Sequence, residues 1–404
     1  MPGEAICMTT TEDAGVPSIT LPALFLKFLR FGALAFGGPV AQIAMIRQAL
    51  VDDERWISVP RFNRLLAVMQ VLPGPEAHEL CVHLGIMARG RIGGLLAGLG
   101  FMLPGLVLML GCAWAYATYI AGQPELAGVL LGVQAAVIGI IVRAIYRIGS
   151  HILIENSLIA IAVVSALATL VGVPFWVPLA AGGIVHALGL RMIAAALLMA
   201  VAALLGWGVT GSGIGVTPNL ATTAAIQATT LALFVAGLKG GLLTFGGAYT
   251  AIPYVRADTV GRGWISDGAF LDGVAIAGVL PAPLVIFGTF AGFQAGGWAG
   301  ALALTAGMFL PAFAVSMVFF ERLEQLVEAP ALHRLLDGIA AAVVGIIATT
   351  CAQLALATLD RAPTPWPVLL LFTAGLIGAW RWKSKLATPV LLALGGIGGA
   401  LLFA

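Results

Sequence analysis

Charge is what this chain has least of. Of 404 residues, 20 are Lys or Arg and 18 are Asp or Glu, 9% in all; a soluble domain carries about a quarter. So little charge does not cover a water-facing surface. The formal net charge of +2 offers no basic footprint for nucleic acid. Cysteine is scarce as well: Cys7, Cys81, Cys112 and Cys351 show no paired spacing, which argues against a disulfide frame or a metal knuckle. No Gly-x-x-x-x-Gly-Lys-Ser/Thr stretch occurs, so ATP-driven work by this polypeptide alone is excluded. The first twenty residues lack a basic-then-apolar signal and read as a tail. Nothing in the composition asks for a cofactor.

What is present in excess is apolar. Hydrophobic residues make up 60% of the chain and mean hydropathy is +1.05. About thirteen apolar runs follow one another at near-spanning length: 22–50, 62–88, 93–120, 126–149, 153–172, 174–190, 192–208, 224–256, 268–294, 298–320, 332–358, 365–381 and 386–403. Lipid offers no partner to an open strand edge, so these runs are helices. The fold class is an all-α polytopic membrane protein with about 10–13 membrane segments, placed in the inner (plasma) membrane. The first two runs of each half exceed a simple span, and are either tilted or broken into half-helices. The 52 glycines read as surfaces for close helix approach. Gly-rich outer faces allow a homodimer without demanding one.

The chain is duplicated. Ala35-Phe36-Gly37-Gly38-Pro39 aligns with Thr244-Phe245-Gly246-Gly247-Ala248, and Trp56-Ile57-Ser58 with Trp264-Ile265-Ser266. Val71-Leu72-Pro73-Gly74-Pro75 aligns with Val279-Leu280-Pro281-Ala282-Pro283, and Met102-Leu103-Pro104-Gly105 with Phe309-Leu310-Pro311-Ala312. This divides the chain into a tail (1–21), repeat 1 (22–191), a linking helix and polar linker (192–223) and repeat 2 (224–404). The unpaired run 192–208 makes the second repeat enter from the opposite face, giving inverted-topology repeats. Loop charges agree: Arg89/Arg91, Arg143/Arg147 and Arg191, with Arg256/Arg262, Arg322 and Arg381/Lys383/Lys385, fall on one face. Arg47 to Arg64 is the exception. The N-terminus is then cytoplasmic.

At these motifs the sequence resembles the chromate ion transporter family in its long two-repeat form. The carriers are Arg30-Phe31-Gly32 leading into Phe36-Gly37-Gly38-Pro39, Leu72-Pro73-Gly74-Pro75-Glu76, Thr244 to Tyr249, and Leu280-Pro281-Ala282-Pro283-Leu284. The resemblance implies a secondary transporter, not an enzyme, that exports chromate as a sulfate-like oxyanion, and it supports inverted halves. Chromate and sulfate are both tetrahedral dianions, so the residues do not separate them. An oxyanion-selective channel, or an exchanger for another anion such as sulfate, is the alternative on the same fold.

The duplicated stretches are the ones that break helices. A dianion must trade its water for donors, and each helix N-terminus offers unpaired N–H groups and about +0.5 charge. Glycine lets backbone approach a ligand, and proline pre-sets the first turn of a new helix. Gly37, Gly38, Pro39, Pro73, Gly74, Pro75, Gly246, Gly247, Ala248, Pro281, Ala282 and Pro283 are therefore expected to face one another and cradle the anion. Arg30 and Lys239, six residues before Phe36 and Phe245, are read either as attractors on the anion path or as snorkelling ends. Glu76, Glu79 and His83 form one helical stripe, read as a proton relay; Glu76 serves equally well as a helix cap. His78 and His83 sit five apart and diverge by about 140°, so no metal is expected.

Overall fold

The computed structural model describes residues 19–69, 72–189, 197–201, 204, 228–245, 247–319, 330–382, 384 and 386–403. These residues are overwhelmingly helical and contain no strand. Repeat 1 supplies α1 (Leu21–Ala33), α2 (Gly38–Arg47), α3 (Val59–Met69), α4 (Glu76–Ala115), α5 (Ala127–Ile152), α6 (Asn156–Leu170) and α7 (Trp176–Ala187). Repeat 2 supplies α8 (Thr230–Leu242), α9 (Ile252–Thr259), α10 (Asp267–Val279), α11 (Phe287–Phe319), α12 (Pro330–Arg361), α13 (Pro365–Arg381) and α14 (Ala387–Leu402). Each helix of repeat 1 has its counterpart seven labels later. Most of the tail and of the 192–223 link lies outside the described residues; 197–201 and 204 are helical.

The long first runs of each half are broken, not tilted. α1 has 13 residues, about 20 Å of helix, too short for a hydrocarbon core of about 30 Å. It stops before Gly37 and Gly38, whose φ values of 90° and 77° no continuing helix accepts, and Pro39 opens α2. The chain then doubles back: Lys27 of α1 pairs with Glu54 beyond α2, and Phe28 meets Trp56 edge-on. The second repeat does the same, with Lys239 of α8 bound to Asp258 of α9 at 2.7 Å. α3 and the first part of α4 form the next hairpin, joining Phe62, Leu65 and Met69 to Leu80, Cys81 and Leu84 in one core. Their counterparts are α10 and the start of α11. Thr229 and Ser266 cap α8 and α10 by accepting from Ala232 N and Ala269 N, which fixes where those helices begin.

α4 and α11 each contain a sharp turn, at Arg89-Gly90 (φ 64° at the glycine) and Gly296-Gly297 (φ 61°). The apolar runs part at these same places. Beyond the turn the chain folds against itself at glycine contacts: a Cβ on Gly93 would stand 2.4 Å from the Gly85 carbonyl, and one on Gly292 2.5 Å from that of Gly300. Among the described residues four helical stretches are long and apolar enough to cross a membrane: Glu76–Ile120, Pro124–Ile152, Leu284–Val318 and His333–Arg361. Asn156–Leu170, Trp176–Ala187, Thr230–Leu242 and Ala387–Leu402 are shorter apolar helices.

The repeats are intertwined rather than set side by side. α5 of repeat 1 packs on α13 and α14, and α12 of repeat 2 packs on α6 and α7. α4 and α11 meet between them. This reciprocity sorts the polar ends onto two faces. Arg61 lies by His83, near the turn at Arg89, so Arg47 to Arg61 share a face with Arg89 and Arg91. Arg256 binds Asp267 and Gln353, towards the end of α12 where Arg361 stands, which places it on the opposite face. The loop-charge expectation is corrected at both points. The hairpins return to the face they came from, which hydropathy alone does not reveal.

Candidate functional site

The interruptions meet inside the molecule. Gly74 (φ 147°) donates its N–H to the Thr244 carbonyl at 2.8 Å, joining the second tip of repeat 1 to the first tip of repeat 2. Gln42, fully buried, spans the other junction: its Nε2 donates to the carbonyls of Ala35 and Ala282, each at 2.9 Å. The small residues interlock reciprocally. A Cβ on Gly74 would lie 3.0 Å from that of Ala312, and one on Gly105 would lie 2.3 Å from that of Ala282. Each contact pairs one glycine with one alanine, so either junction closes without a gap or a clash.

A cavity of about 420 Å³ opens beside these tips, lined by Pro39, Glu76, Arg147, His151, Gly247, Ala248, Tyr249 and Asp337 among others. A smaller recess of about 90 Å³ adjoins it, lined by Gly37, Gly38, Pro39, Arg143, Arg147 and Tyr249. Tyr249 also borders a third, narrow slot with Leu284, so it stands where the three meet. Arg143 and Arg147 are one turn apart on α5 and aim two guanidinium groups along one side. Among the described residues neither has an ion-pair partner. Arg147 is close enough to Glu76 for the charges to interact. Two guanidinium groups beside backbone tips are suited to hold a doubly charged oxyanion, because the guanidinium fork matches tetrahedral oxygens.

The remaining expected residues fall elsewhere. Pro73, Gly74, Pro75, Pro281, Ala282 and Pro283 form the interlocked junctions and do not line these cavities. Gly246 lies outside the described residues. Arg30 is exposed and borders none of the cavities. Lys239 is held by Asp258, lies 4.3 Å from the Phe175 ring centre, and borders none of them. Glu79 and His83 are buried on α4. Sequence reasoning missed Arg143, Arg147 and Tyr249. The arginines were grouped with loop charges, although both lie inside the helix Ala127–Ile152. Two arginines four apart in an apolar helix were the available signal.

A buried network joins the two repeats away from these cavities. Asp272 of α10, 3% exposed, accepts from Tyr116 Oη and Gln134 Nε2, each at 2.8 Å. Tyr116 opens a five-residue π-helix after α4, which carries its hydroxyl across to repeat 2. The cavity extends the other way, to His151 and Ile152 at the end of α5 and to Leu336 and Asp337 near the start of α12.

Duplicated, interlocked half-helices around a polar cavity bordered by two arginines are the architecture of a multi-pass membrane transporter, and the comparisons agree. Two stretches, residues 22–236 and 231–400, match the family described as chromate transporters. A chromate transport protein of Pseudomonas aeruginosa is 54% identical over 395 residues, 97% of this chain and 95% of its own length. A probable chromate transport protein of Synechococcus elongatus is 30% identical across 95% of this chain and 96% of its own. One from Cupriavidus metallidurans is 30% identical across 93% and 92%. The chain therefore belongs to the chromate transporter family, a family of transporters rather than enzymes. No solved structure matches it.

Proposed function

We propose that this protein is a secondary active transporter that exports chromate by alternating access. The observation that supports this reading is that Arg147 lines both a cavity bordered by Pro39 and the tip Gly247–Ala248 and the adjoining recess bordered by Arg143 and the tip Gly37–Pro39. The two guanidinium charges balance a dianion. The tips add backbone donors, with less cost than further buried charge would carry. The relatives named for chromate transport support chromate as the substrate.

The distribution of charge supports a direction. We read the cavity as running towards the face of Arg47, Arg55, Arg61, Arg89 and Arg91, which the positive-inside rule assigns to the cytoplasm. The Asp272 network joins the repeats away from it. This is the inward-open form of an exporter, ready to load from the cytoplasm. Inverted repeats give the outward-open form a similar energy, because each half then takes the other's arrangement.

The test is uphill transport. Purified protein in vesicles should accumulate labelled chromate against its gradient under an imposed potential, and the flux should saturate. Purely passive, unsaturable flux rejects the carrier and leaves a channel.

A further inference from the structure

The anion reading leaves one buried acid without a task. Glu79 lies one turn beyond Glu76 on α4 and is 0% exposed. Neither of its carboxyl oxygens has a hydrogen-bond partner. It sits directly behind the second tip: a Cβ on Gly74 would fall 2.6 Å from Glu79 Oε1. The glycine at that tip leaves the room that the carboxyl occupies.

The second repeat supplies an internal control. The positions equivalent to Gly74, Glu76, Glu79 and His83 are Ala282, Leu284, Phe287 and Ala291. Phe287 is equally buried and packs edge-on against Phe270 at 5.6 Å. The same fold is thus built once with an aromatic ring and once with an acid, so the architecture does not need the acid. An unpartnered carboxylate in such a place is strongly disfavoured, and the neutral acid is the form it accommodates.

The groups around Glu79 are few. Glu76 precedes it by one turn and is near enough for its charge to be felt. His83 follows by one turn, with Arg61 of α3 beside it. His78, next in sequence, is wedged between Phe309 and Phe313 of α11 at 5.0 and 4.7 Å. Gly74 and Ala312, which complete the contact, bring no titratable group.

Resting on the transport reading above, we propose that Glu79 is the binding site of a proton that travels with the oxyanion, and that Glu76 passes it between Glu79 and the cavity. The step makes and breaks only O–H bonds. Cytoplasmic water gives a proton to Glu76, Glu76 hands it to a Glu79 oxygen, and it returns to water after the cavity opens to the other side. Neutral carboxyls beside Arg147 leave more positive potential for the anion, so proton and anion move together. A dianion with one proton carries a net charge of minus one, and an inside-negative potential still drives it outward.

The experiment uses full-length protein in vesicles with a trapped pH dye, labelled chromate and a clamped potential. Wild type is expected to move about one proton per chromate in the same direction, as a carboxyl relay does. In Glu79→Gln the proton-to-chromate ratio is expected to fall at least about tenfold, and in Glu79→Phe, the residue type of the other repeat, equally. Chromate flux by wild type with no proton movement, with opposite proton movement, or with a ratio unchanged in Glu79→Gln overturns the proton site and leaves the transport reading standing. Absence of chromate flux by wild type overturns the transport reading itself. If neither variant inserts, an imposed pH gradient at zero potential decides: uphill chromate movement by wild type supports the site, and its absence overturns it.

Discussion

The second tips of the two repeats share a backbone plan and differ in chemistry. Pro73-Gly74-Pro75-Glu76 starts a helix carrying His78, Glu79 and His83; Pro281-Ala282-Pro283-Leu284 starts one carrying Ile286, Phe287 and Ala291. Both are buried and interlocked, Gly74 with Ala312 and Ala282 with Gly105. The difference separates two jobs. What the copies share, the break and the small-residue contact, holds the halves together. What only one copy has is chemistry. α5 follows the same rule: it carries Arg143 and Arg147, whereas the aligned positions of α12 are Thr349 and Gln353. Thr349 donates to the Ala166 carbonyl and Gln353 accepts from Arg256, both structural tasks. On the proposed reading repeat 1 supplies both arginines and Glu76, while repeat 2 adds the tip Gly247–Ala248, Tyr249 and Asp337 to the same wall.

The sharpest break of that comparison is the double substitution Arg143→Ala and Arg147→Ala. Each charge-assisted contact is worth about 1.5–3 kcal/mol, so each single change should raise half-saturation for chromate about 10–100-fold, and the double change should remove saturable flux. Thr349→Val in the other repeat should shift it by less than about twofold. Next in size is Gly74→Val, which drives a side chain into Ala312 and the Glu79 carboxyl. An overpacking cost of about 1–3 kcal/mol should appear as a lower unfolding temperature and less folded protein. Gly38→Ala and Gly247→Ala are smaller. A Cβ there meets nothing within 4 Å, so the effect is the strain of positive φ, about 1–2 kcal/mol per site, read as slower turnover in correctly inserted protein. The smallest effect belongs to Arg30→Ala, which borders none of the three cavities described and should change chromate flux by less than about twofold.

The sequence displayed the breaks because they are duplicated and made of glycine and proline, residues whose chemistry is local. The bends at Gly90 and Gly297 were visible for the same reason, as gaps between apolar runs. The cavity wall was harder to read. Arg143 and Arg147 occur in one copy only, and α5 carries them to the tips of both repeats because it packs on α13 and α14. No local pattern encodes that exchange. The doubling back of α1–α2 was hidden because a hairpin and a crossing have the same hydropathy. Lys239 looked available until its partner Asp258, nineteen residues on, was brought beside it by that same hairpin. Gln42 carries no charge, yet one of its two hydrogen bonds, to the Ala282 carbonyl, ties the two halves.

A structure of the protein with chromate or sulfate bound decides where the anion is held. The oxyanion is expected in the cavity, within about 3 Å of guanidinium nitrogens of both Arg143 and Arg147 and against the tips at Gly37–Pro39 and Gly247–Ala248. An anion bound at Arg30 or Lys239 instead, with Arg143 and Arg147 untouched, would contradict this placement.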